Sequence, residues 1–345
     1  MTAVDAPMRS PDRARATRAL VLATVLIVLL IGTGMAALTI GITQIPARDV
    51  PMILFTEGGE RIHRIVVWQV RMPRFLVGAL GGASLAVAGA LLQDALRNPL
   101  AEPGLLGVSS GASLVVATIV IFGIPIAAGT LPLYAFAGGM SAGIFILFAT
   151  RIVRDPVRMI LMGAALAAFF SALITVIVIL GRPDQVRALY AWLSGSLIGR
   201  DWDHFALLWP WSLVTIPAAM FLARPLNLLR LGDEMAEGLG LPVFRTQALI
   251  FFMAILLVAP VVSVAGPVGF VALIAPHMVR GALGTGNAVV VLPISALMGA
   301  VLLTMADFAA REVLRPAELP VGLIVTSIGA PVALYFLRKL GKRRP

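Results

Sequence analysis

Three carboxylates lie close together in a chain that is otherwise strongly apolar. Asp233, Glu234 and Glu237 fall within residues 224–245, between two long hydrophobic halves. Carboxylates in this pattern can form ion pairs with a cationic surface of another protein. Asp233 and Glu234 fit the first turn of a short helix, where the macrodipole favours negative charge. The end of that helix is predicted from the residues that follow, Gly238, Gly240 and Pro242.

Other residue types that perform chemistry are absent or badly spaced. The histidines, His63, His204 and His277, are far apart, and none has the i, i+4 spacing of a helical zinc pair. The chain has no cysteine, which excludes thiolate metal sites and thiol catalysis. No GxxxxGK[ST] phosphate loop occurs, because the Gly-Lys pair at residues 341–342 lacks the upstream part of the motif. We therefore predict no enzymatic activity, metal or cofactor for this chain, and any ATP would be hydrolysed by a separate protein.

The elements that position the three acids are membrane helices. The chain of 345 residues is 59% hydrophobic and 13% charged, with a mean hydropathy of +0.98. A soluble domain carries about 25% charged residues. The apolar runs reach the roughly 20 residues that cross a bilayer as a helix. We predict an all-α polytopic membrane protein with ten spans, near residues 19–42, 75–92, 105–125, 131–150, 159–180, 205–222, 246–266, 268–283, 288–308 and 318–337.

Basic residues predict the orientation of these spans. Residues 1–18 form an Arg-rich tail, residues 19–338 a single transmembrane domain, and residues 339–345 a second basic tail. Most of the 27 Lys and Arg residues fall on the side that holds both tails, so the positive-inside rule places both termini in the cytoplasm. Because these charges flank spans, they favour contact with membrane lipid over nucleic-acid binding. The first apolar run is too long for a signal-peptide core and is expected to be retained.

Two Gly/Pro-rich interruptions, at residues 97–113 and 264–280, occupy corresponding places in the two halves. Irregular backbone at membrane depth is tolerated only where protein or a cavity surrounds it. Paired interruptions of this kind predict an internal repeat around a pathway. If spans 2–5 and 7–10 form the two halves, the repeat is inverted.

Small residues crowd several spans and allow two interpretations, close helix packing or the wall of a pathway. The second interpretation fits best for a hydroxyl cluster beside the first interruption, Ser109, Ser110 and Ser113. Span 5 is the other candidate wall, and it contains Gly163 in a run of small residues.

Several separated motifs together resemble the FecCD permease family, the membrane subunits of type II ABC importers for iron–siderophores, haem and cobalamin. They follow the family's order from about residue 20 to residue 338. The motifs are RMPR at 71–74, NPLAEPG at 98–104, WLSGSL at 192–197, LGDE at 231–234, GPVGF at 266–270, APH at 275–277, AELPVG at 317–322 and GAP at 329–331. The family has ten transmembrane helices and cytoplasmic termini, in agreement with the charge distribution.

The resemblance implies partners for three parts of the chain. The loop between spans 6 and 7 would seat in a groove of ATPase subunits, which use ATP and Mg. Outward arginines would receive glutamates from a substrate-binding protein, and the loop between spans 4 and 5 would help to close the cytoplasmic end. Carried over, the ATPase contact is Gly232, Asp233, Glu234, Ala236, Leu239 and Gly240, the docking residues are Arg71, Arg74 and Arg311, and the gate lies at Pro156 and Val157. Some relatives have hydroxyl residues at the gate positions, so the gate chemistry differs in this chain.

The leading hypothesis is the permease subunit of an ABC importer for an iron(III)–siderophore in a bacterial inner membrane. A second permease subunit, identical or paralogous, would complete the pathway. Residues 187–202 look most like the siderophore members, with haem second and cobalamin third. An ion-coupled secondary transporter would place ionisable residues mid-membrane, but Asp307 lies near a span end. We expect Asp307 to pair with Arg311 on one helix face. A membrane enzyme is disfavoured by the missing catalytic constellation.

Overall fold

The computed structural model describes residues 11–56, 58–150 and 156–341, without the side chains of residues 11–14, 105, 150, 156–160 and 335–341. No strand occurs within these ranges, and the predicted all-α class is confirmed for them. The α-helices are α1 (Pro11–Thr39), α2 (Asp49–Phe55), α3 (Arg61–Ile65), α4 (Met72–Ala95), α5 (Val108–Phe122), α6 (Leu131–Thr150), α7 (Pro156–Ile179), α8 (Pro183–Leu193), α9 (Trp202–Met220), α10 (Ala223–Leu229), α11 (Asp233–Gly238), α12 (Val243–Ala265), α13 (Val271–Leu283), α14 (Ala288–Glu312) and α15 (Val321–Gly341). A π-helical turn, Val66–Arg71, joins α3 to α4, and a 3₁₀ turn, Pro103–Leu106, precedes α5.

Six helical segments in the described ranges are long and apolar enough to cross a membrane. They include α1, the continuous α3–α4 segment, α6, α7, α12 and α14. A seventh results if α9 and α10, which meet at a bend of 49°, form one span. The helices α5, α13 and α15 are apolar but shorter in the described part of the chain. Each of the ten predicted segments therefore contains a helix, whereas the number that cross the membrane stays a prediction.

Helix α4 forms the centre of the bundle. Its residues 81–95 are all buried, and it packs against α9, α12, α13 and α14. The contacts with α13 and α14 are backbone to backbone, because a side chain at Gly82 would overlap the carbonyl of Gly299 and one at Gly89 that of Ala272. Small residues permit this approach. Because lipid provides no hydrophobic driving force between helices, the van der Waals contacts of the close approach stabilise the pair.

The two ends of α4 identify the two ends of the bundle. At the beginning of the continuous helix, the indole of Trp68 donates to the carbonyl of Ile53 in α2 over 3.2 Å. Beyond its last turn, Arg97 reaches Asp233 in α11. We call these the α2 end and the α11 end.

Irregular segments from distant parts of the sequence interlock beside α13 and α15. Ser196 N–H donates to the carbonyl of Ala265 over 2.7 Å, and Gly322 N–H donates to that of Gly195 over 3.1 Å. Gly195 and Gly266 have φ of 68° and 72°, and a side chain on either would overlap a backbone carbonyl of the other segment. Only glycine satisfies both conditions at low cost. Three of the sequence motifs thus form one contact region.

Candidate functional site

The acidic segment forms the short helix that the sequence predicted. Asp233 and Glu234 occupy the first turn of α11. The helix ends through hydrogen bonds from Gly240 N–H to the carbonyl of Glu237 and from Leu241 N–H to that of Ala236. These two bonds form the C-terminal motif in which glycine is favoured after the last turn.

One face of α11 is open and combines apolar and acidic side chains. Leu231, Met235 and Leu239 are each 58–59% exposed, and Glu234 and Glu237 are also exposed. An exposed apolar patch bordered by charge is typical of a protein–protein contact.

Two residues of the predicted ATPase contact face inward instead. Ala236 is fully buried and fixes α11 to the bundle, so we correct its predicted role from partner contact to anchor. Asp233 is half-buried, and its carboxylate lies 3.0 Å from the guanidinium of Arg97. Gly232 is half-buried and Gly240 is exposed.

An ion-pair network around the buried carboxylate of Asp94 lies next to this contact. Asp94 at the end of α4 pairs with Arg280 of α13 at 3.1 Å, and Arg230 approaches the same carboxylate at 3.9 Å. Arg280 also donates to Gln93 over 2.5 Å, and Gln93 donates to the carbonyls of residues 272 and 273. The network ties the ends of α4 and α13 together directly beside α11.

The two Gly/Pro interruptions meet at Glu102. Its carboxylate accepts the N–H of Phe270 over 2.9 Å, across 168 residues of sequence. Burial raises the pKa of Glu102, and the hydrogen bond from Phe270 opposes that rise only in part. Glu102 and Ser109 line a cavity of about 170 Å³ between α4, α12 and the second interruption.

The other predicted pathway residues have local partners. Ser110 donates to the carbonyl of Gly107, and buried Ser113 donates to that of Ser109. Gly163 is buried against the rest of its own chain. Ser109 therefore faces a cavity, and the pathway role of all four residues stays a prediction. The side chains of Pro156 and Val157, the predicted gate, lie outside the described ones.

The predicted docking arginines are buried at the α2 end. Arg71, Arg74 and Arg311 are only 6–8% exposed. Arg71 donates to the carbonyls of Leu38 and Thr43. Arg311 donates to the carbonyls of Ala37 and Ile40. The last turn of a helix leaves carbonyls without partners and carries partial negative charge, so both arginines stabilise the end of α1.

Arg74 forms a bidentate ion pair with Asp307, with N···O distances of 2.8 and 3.0 Å, and a second bond of 2.6 Å to Glu318. The predicted pairing of Asp307 with Arg311 on one face of α14 is therefore wrong. Asp307 of α14 pairs with Arg74 of α4 instead, because α4 and α14 pack closely enough for two hydrogen bonds between these buried side chains. These arginines hold helices together inside the chain, which argues against exposed ion pairs with a docking protein.

Sequence reasoning did not assign roles to Arg97, Glu102 or Phe270. The available signal was charge inside an otherwise apolar Gly/Pro interruption, which places Arg97 and Glu102 among the few ionisable residues of that region. The described ranges hold no group of three or more His, Asp and Glu side chains arranged for a metal ion.

Comparison with known proteins agrees with this arrangement of motifs. The family model described as the FecCD transport family matches residues 26–339. The chain belongs to the FecCD transport family. As a FecCD protein it is a transport permease subunit of ABC importers, and it is not an enzyme.

The names of relatives within the FecCD family specify different transported substrates. The iron(3+)-hydroxamate import system permease protein FhuG of Bacillus subtilis strain 168 is 34% identical over 335 residues, which cover 95% of this chain and 99% of FhuG. The vitamin B12 import system permease protein BtuC of Escherichia coli strain SMS-3-5 is 38% identical over 296 residues, covering 84% and 87%. A solved structure of a metal-chelate type ABC transporter, in an inward-facing conformation, superposes with a TM-score of 0.81 at 28% identity, covering 92% of this chain and 98% of that one.

Proposed function

We propose that this FecCD permease carries an iron(III)–siderophore complex across a bacterial inner membrane. The observation that carries this proposal is the similarity to the hydroxamate permease FhuG along nearly the full length of both chains. The described residues contain no group of three or more His, Asp and Glu side chains arranged to bind iron directly. The chelate is therefore recognised by its shape and by the protein that delivers it.

ATP hydrolysis by separate ATPase subunits drives the transport. The chain has no phosphate loop, and the open face of α11 offers Glu234, Glu237 and Leu239 to a partner. Gly232 and Gly240 flank this face. Ion pairs at the edge of such an interface add specificity and speed of association more than affinity.

The membrane arrangement consists of ten spans with both termini in the cytoplasm, which places the α11 end inside and the α2 end outside. A substrate-binding protein docks at the α2 end. Arg71, Arg74 and Arg311 support that surface from within, because they fix α1, α4 and α14 to one another. A second permease subunit, identical or paralogous, completes the pathway.

Two alternatives remain open to experiment. Cobalamin or haem is the alternative cargo, and the 38% identity to BtuC supports cobalamin. Ion-coupled transport is the alternative of another class, supported by the carboxylate of Glu102 beside a cavity within the helical bundle.

Transport by the complete importer in liposomes distinguishes these functions. The permease is reconstituted with its ATPase and binding protein, and uptake of iron-loaded siderophores, haem and cobalamin is measured. We expect ATP-dependent uptake of an iron–siderophore that an ionophore does not affect. Uptake that persists with a hydrolysis-dead ATPase and collapses with an ionophore would overturn the ATP-driven function. Uptake of cobalamin or haem alone would overturn the cargo assignment.

A further inference from the structure

Two non-glycine residues in the described ranges have a left-handed backbone, Arg97 with φ of 47° and Phe270 with φ of 65°. A side chain makes this conformation unfavourable, and it persists only where the surrounding structure enforces it. Both residues belong to the two Gly/Pro interruptions. Such outliers concentrate at functional sites, so the contacts around each of them are informative.

Arg97 ends α4 in a position that usually holds glycine. Arg97 N–H donates to the carbonyl of Asp94, and Asn98 N–H donates to that of Gln93, the bond pattern of a helix terminated by a left-handed residue. Glycine would satisfy the backbone without strain, but it has no guanidinium. The arginine at this position reaches Asp233 in α11 at 3.0 Å.

Phe270 contacts the other end of the connection that begins at Arg97, residues 97–102. Its N–H donates to Glu102, five positions after Arg97, and Phe270 is the N-cap residue directly before α13. One short connection thus contacts α11 at its first residue and the beginning of α13 at its last.

The connection between these contacts is stiff. The Asn98 side chain accepts the N–H of Leu100, and its carbonyl accepts the N–H of Ala101, so the backbone forms a closed turn. Ala101 is fully buried. Pro99 fixes a further backbone torsion angle. A short, closed turn anchored by one buried residue transmits displacement of one end to the other instead of absorbing it.

We propose that residues 97–102 form a strut that couples the position of α11 to the beginning of α13 and to the cavity beside it. Arg97 and Glu102 are positioning residues for transport, since they act through Asp233 and Phe270. The proposal rests on the proposed function, in which ATPase subunits move α11. Displacement of α11 would then reach the cavity of Glu102 and Ser109 without rearrangement of the long helices.

The first test separates the strut from a merely structural role with Arg97→Gly. This variant keeps the favoured left-handed backbone, so the melting temperature of the reconstituted importer stays equal or rises. It removes the contact with Asp233, and we expect the cargo transported per ATP hydrolysed to fall roughly fivefold, the lower limit of typical coupling between sites. An unchanged ratio of transport to hydrolysis would overturn the strut.

Charge exchange provides the second test. Arg97→Asp and Asp233→Arg should each lower the transport-to-hydrolysis ratio, and the double variant should restore at least half of it. Aspartate tolerates the left-handed conformation, so Arg97→Asp leaves the helix end intact. The matched control is the exposed pair of Arg182 and Asp184, 2.9 Å apart, where the same exchange should change nothing. A double variant no better than the worse single variant would overturn the pairing.

Glu102 tests the other end of the strut. Glu102→Gln retains an oxygen that accepts the N–H of Phe270 and should keep most of the wild-type ratio. Glu102→Ala removes the acceptor and should lower the ratio about as much as Arg97→Gly. Equal loss in both variants would show that charge matters instead of the contact, and would overturn this half of the proposal. If the wild-type importer shows no ATP-dependent uptake, the proposed function fails first, and that result is visible before any variant is compared.

Discussion

Burial divides the arginines of this permease into two groups with different energetic consequences. Arg74 and Arg311 are almost fully enclosed, whereas 40% of the Arg97 side chain is exposed. An enclosed guanidinium loses its hydration, so its charge must be compensated by hydrogen-bonded partners. Removal of one partner leaves buried charge uncompensated and lowers the stability of the fold. An exposed pair contributes about 0.2–1 kcal/mol to folding and can change without loss of the fold. The first group should therefore control stability and the second coupling.

Replacement of Asp307 with alanine should destabilise the permease strongly. Arg74 would keep Glu318 but lose its bidentate partner in a buried site. Removing one member of a buried pair typically costs about 3–5 kcal/mol. Thermal unfolding of the purified permease measures the effect. The double variant Arg74→Met, Asp307→Leu should recover most of the loss, and a double variant as unstable as the single one would contradict this account.

Reversal of both exposed acids on α11 should uncouple the importer. In Glu234→Arg, Glu237→Arg, the open face of the helix changes sign while buried Ala236 still anchors it. We expect uptake per ATP to fall roughly fivefold or more, or the ATPase subunits to dissociate. Docking of the binding protein should stay normal. Full uptake in this variant would exclude the acidic face from the ATPase contact.

The acids of α11 and the ion pair of Asp307 show how far residue types alone predict a site. The pattern around Asp233 is local, since macrodipole, helix end and exposure all follow from neighbouring residues, and the predicted helix is confirmed. The partner of Asp307 is 233 residues away, and the i, i+4 rule selected Arg311 instead. A local rule ranks only local partners. Close packing of α4 and α14 decided the pairing, and that packing depends on the whole bundle.

At the scale of elements, the end of α1 depends on side chains from two other helices. Arg71 lies at the end of the π-helical turn, and Arg311 lies in α14; both donate to carbonyls at the end of α1. In Arg311→Met, the carbonyls of Ala37 and Ile40 lose a charged donor, and we expect local stability to fall by about 0.3–2 kcal/mol. Hydrogen exchange at the amides of Ile40 and Ile45 should accelerate accordingly.

Arg48→Met is the matched control for that measurement. The Arg48 side chain is 88% exposed and its nearest carboxylate, that of Asp49, is 3.5 Å away. Exchange at Ile40 and Ile45 should not change in this variant. Equal acceleration in both variants would indicate a general effect of lost charge.

The contact between α4 and α13 should tolerate no side chain at Gly89. A methyl group there would overlap the carbonyl of Ala272, and backbone cannot move aside as a flexible side chain can. Gly89→Ala should therefore destabilise the permease by about 1–3 kcal/mol through overpacking. Gly32→Ala on α1 has open space around it and should leave the melting temperature equal or higher. Equal melting temperatures for the two variants would contradict the close approach.

Hydropathy predicted the positions of the elements, but not the geometry of the interruptions. Each predicted apolar run contains a helix of the structure, and Gly and Pro residues predicted where the helices break. The contact of Glu102 with Phe270 joins a side chain to a backbone N–H, and that of Ser196 with Ala265 joins two backbone groups; both link distant segments. Neither periodicity nor propensity contains that information, because both describe neighbours along the chain.

At the scale of the whole molecule, α7 packs against α5 and α6 but leaves most of its surface uncovered within its own chain. Its segment Leu161–Ile179 is strongly apolar, yet only 6% of it is buried. Exposed small residues such as Ala168 lie along it. In the proposed importer a second permease subunit covers part of this surface, since small residues favour close helix contact.

Cysteine cross-linking tests that arrangement without prior removal of native thiols, because the chain has none. Ala168→Cys should give a disulfide-linked dimer in membranes if the importer contains two copies of this chain. Val28→Cys on α1, 62% exposed, is the control and should remain monomeric. Cross-linking of Ala168→Cys only to a co-expressed paralogue would indicate a heterodimer. Equal cross-linking at both sites would contradict an interface on α7.

The bonds at the end of α1 also impose an order on biosynthesis. The arginine that donates to the carbonyl of Ala37 is separated from it by 274 positions, so the ribosome must add that many residues before the bond can form. At about 5–20 residues per second, this interval is roughly 14–55 s. During translation the carbonyls of Ala37 and Ile40 at the end of α1 thus lack the Arg311 donor until α14 is synthesised and packs against α1. A nascent chain that stalls before α14 would leave these carbonyls accessible to the quality-control machinery of the membrane.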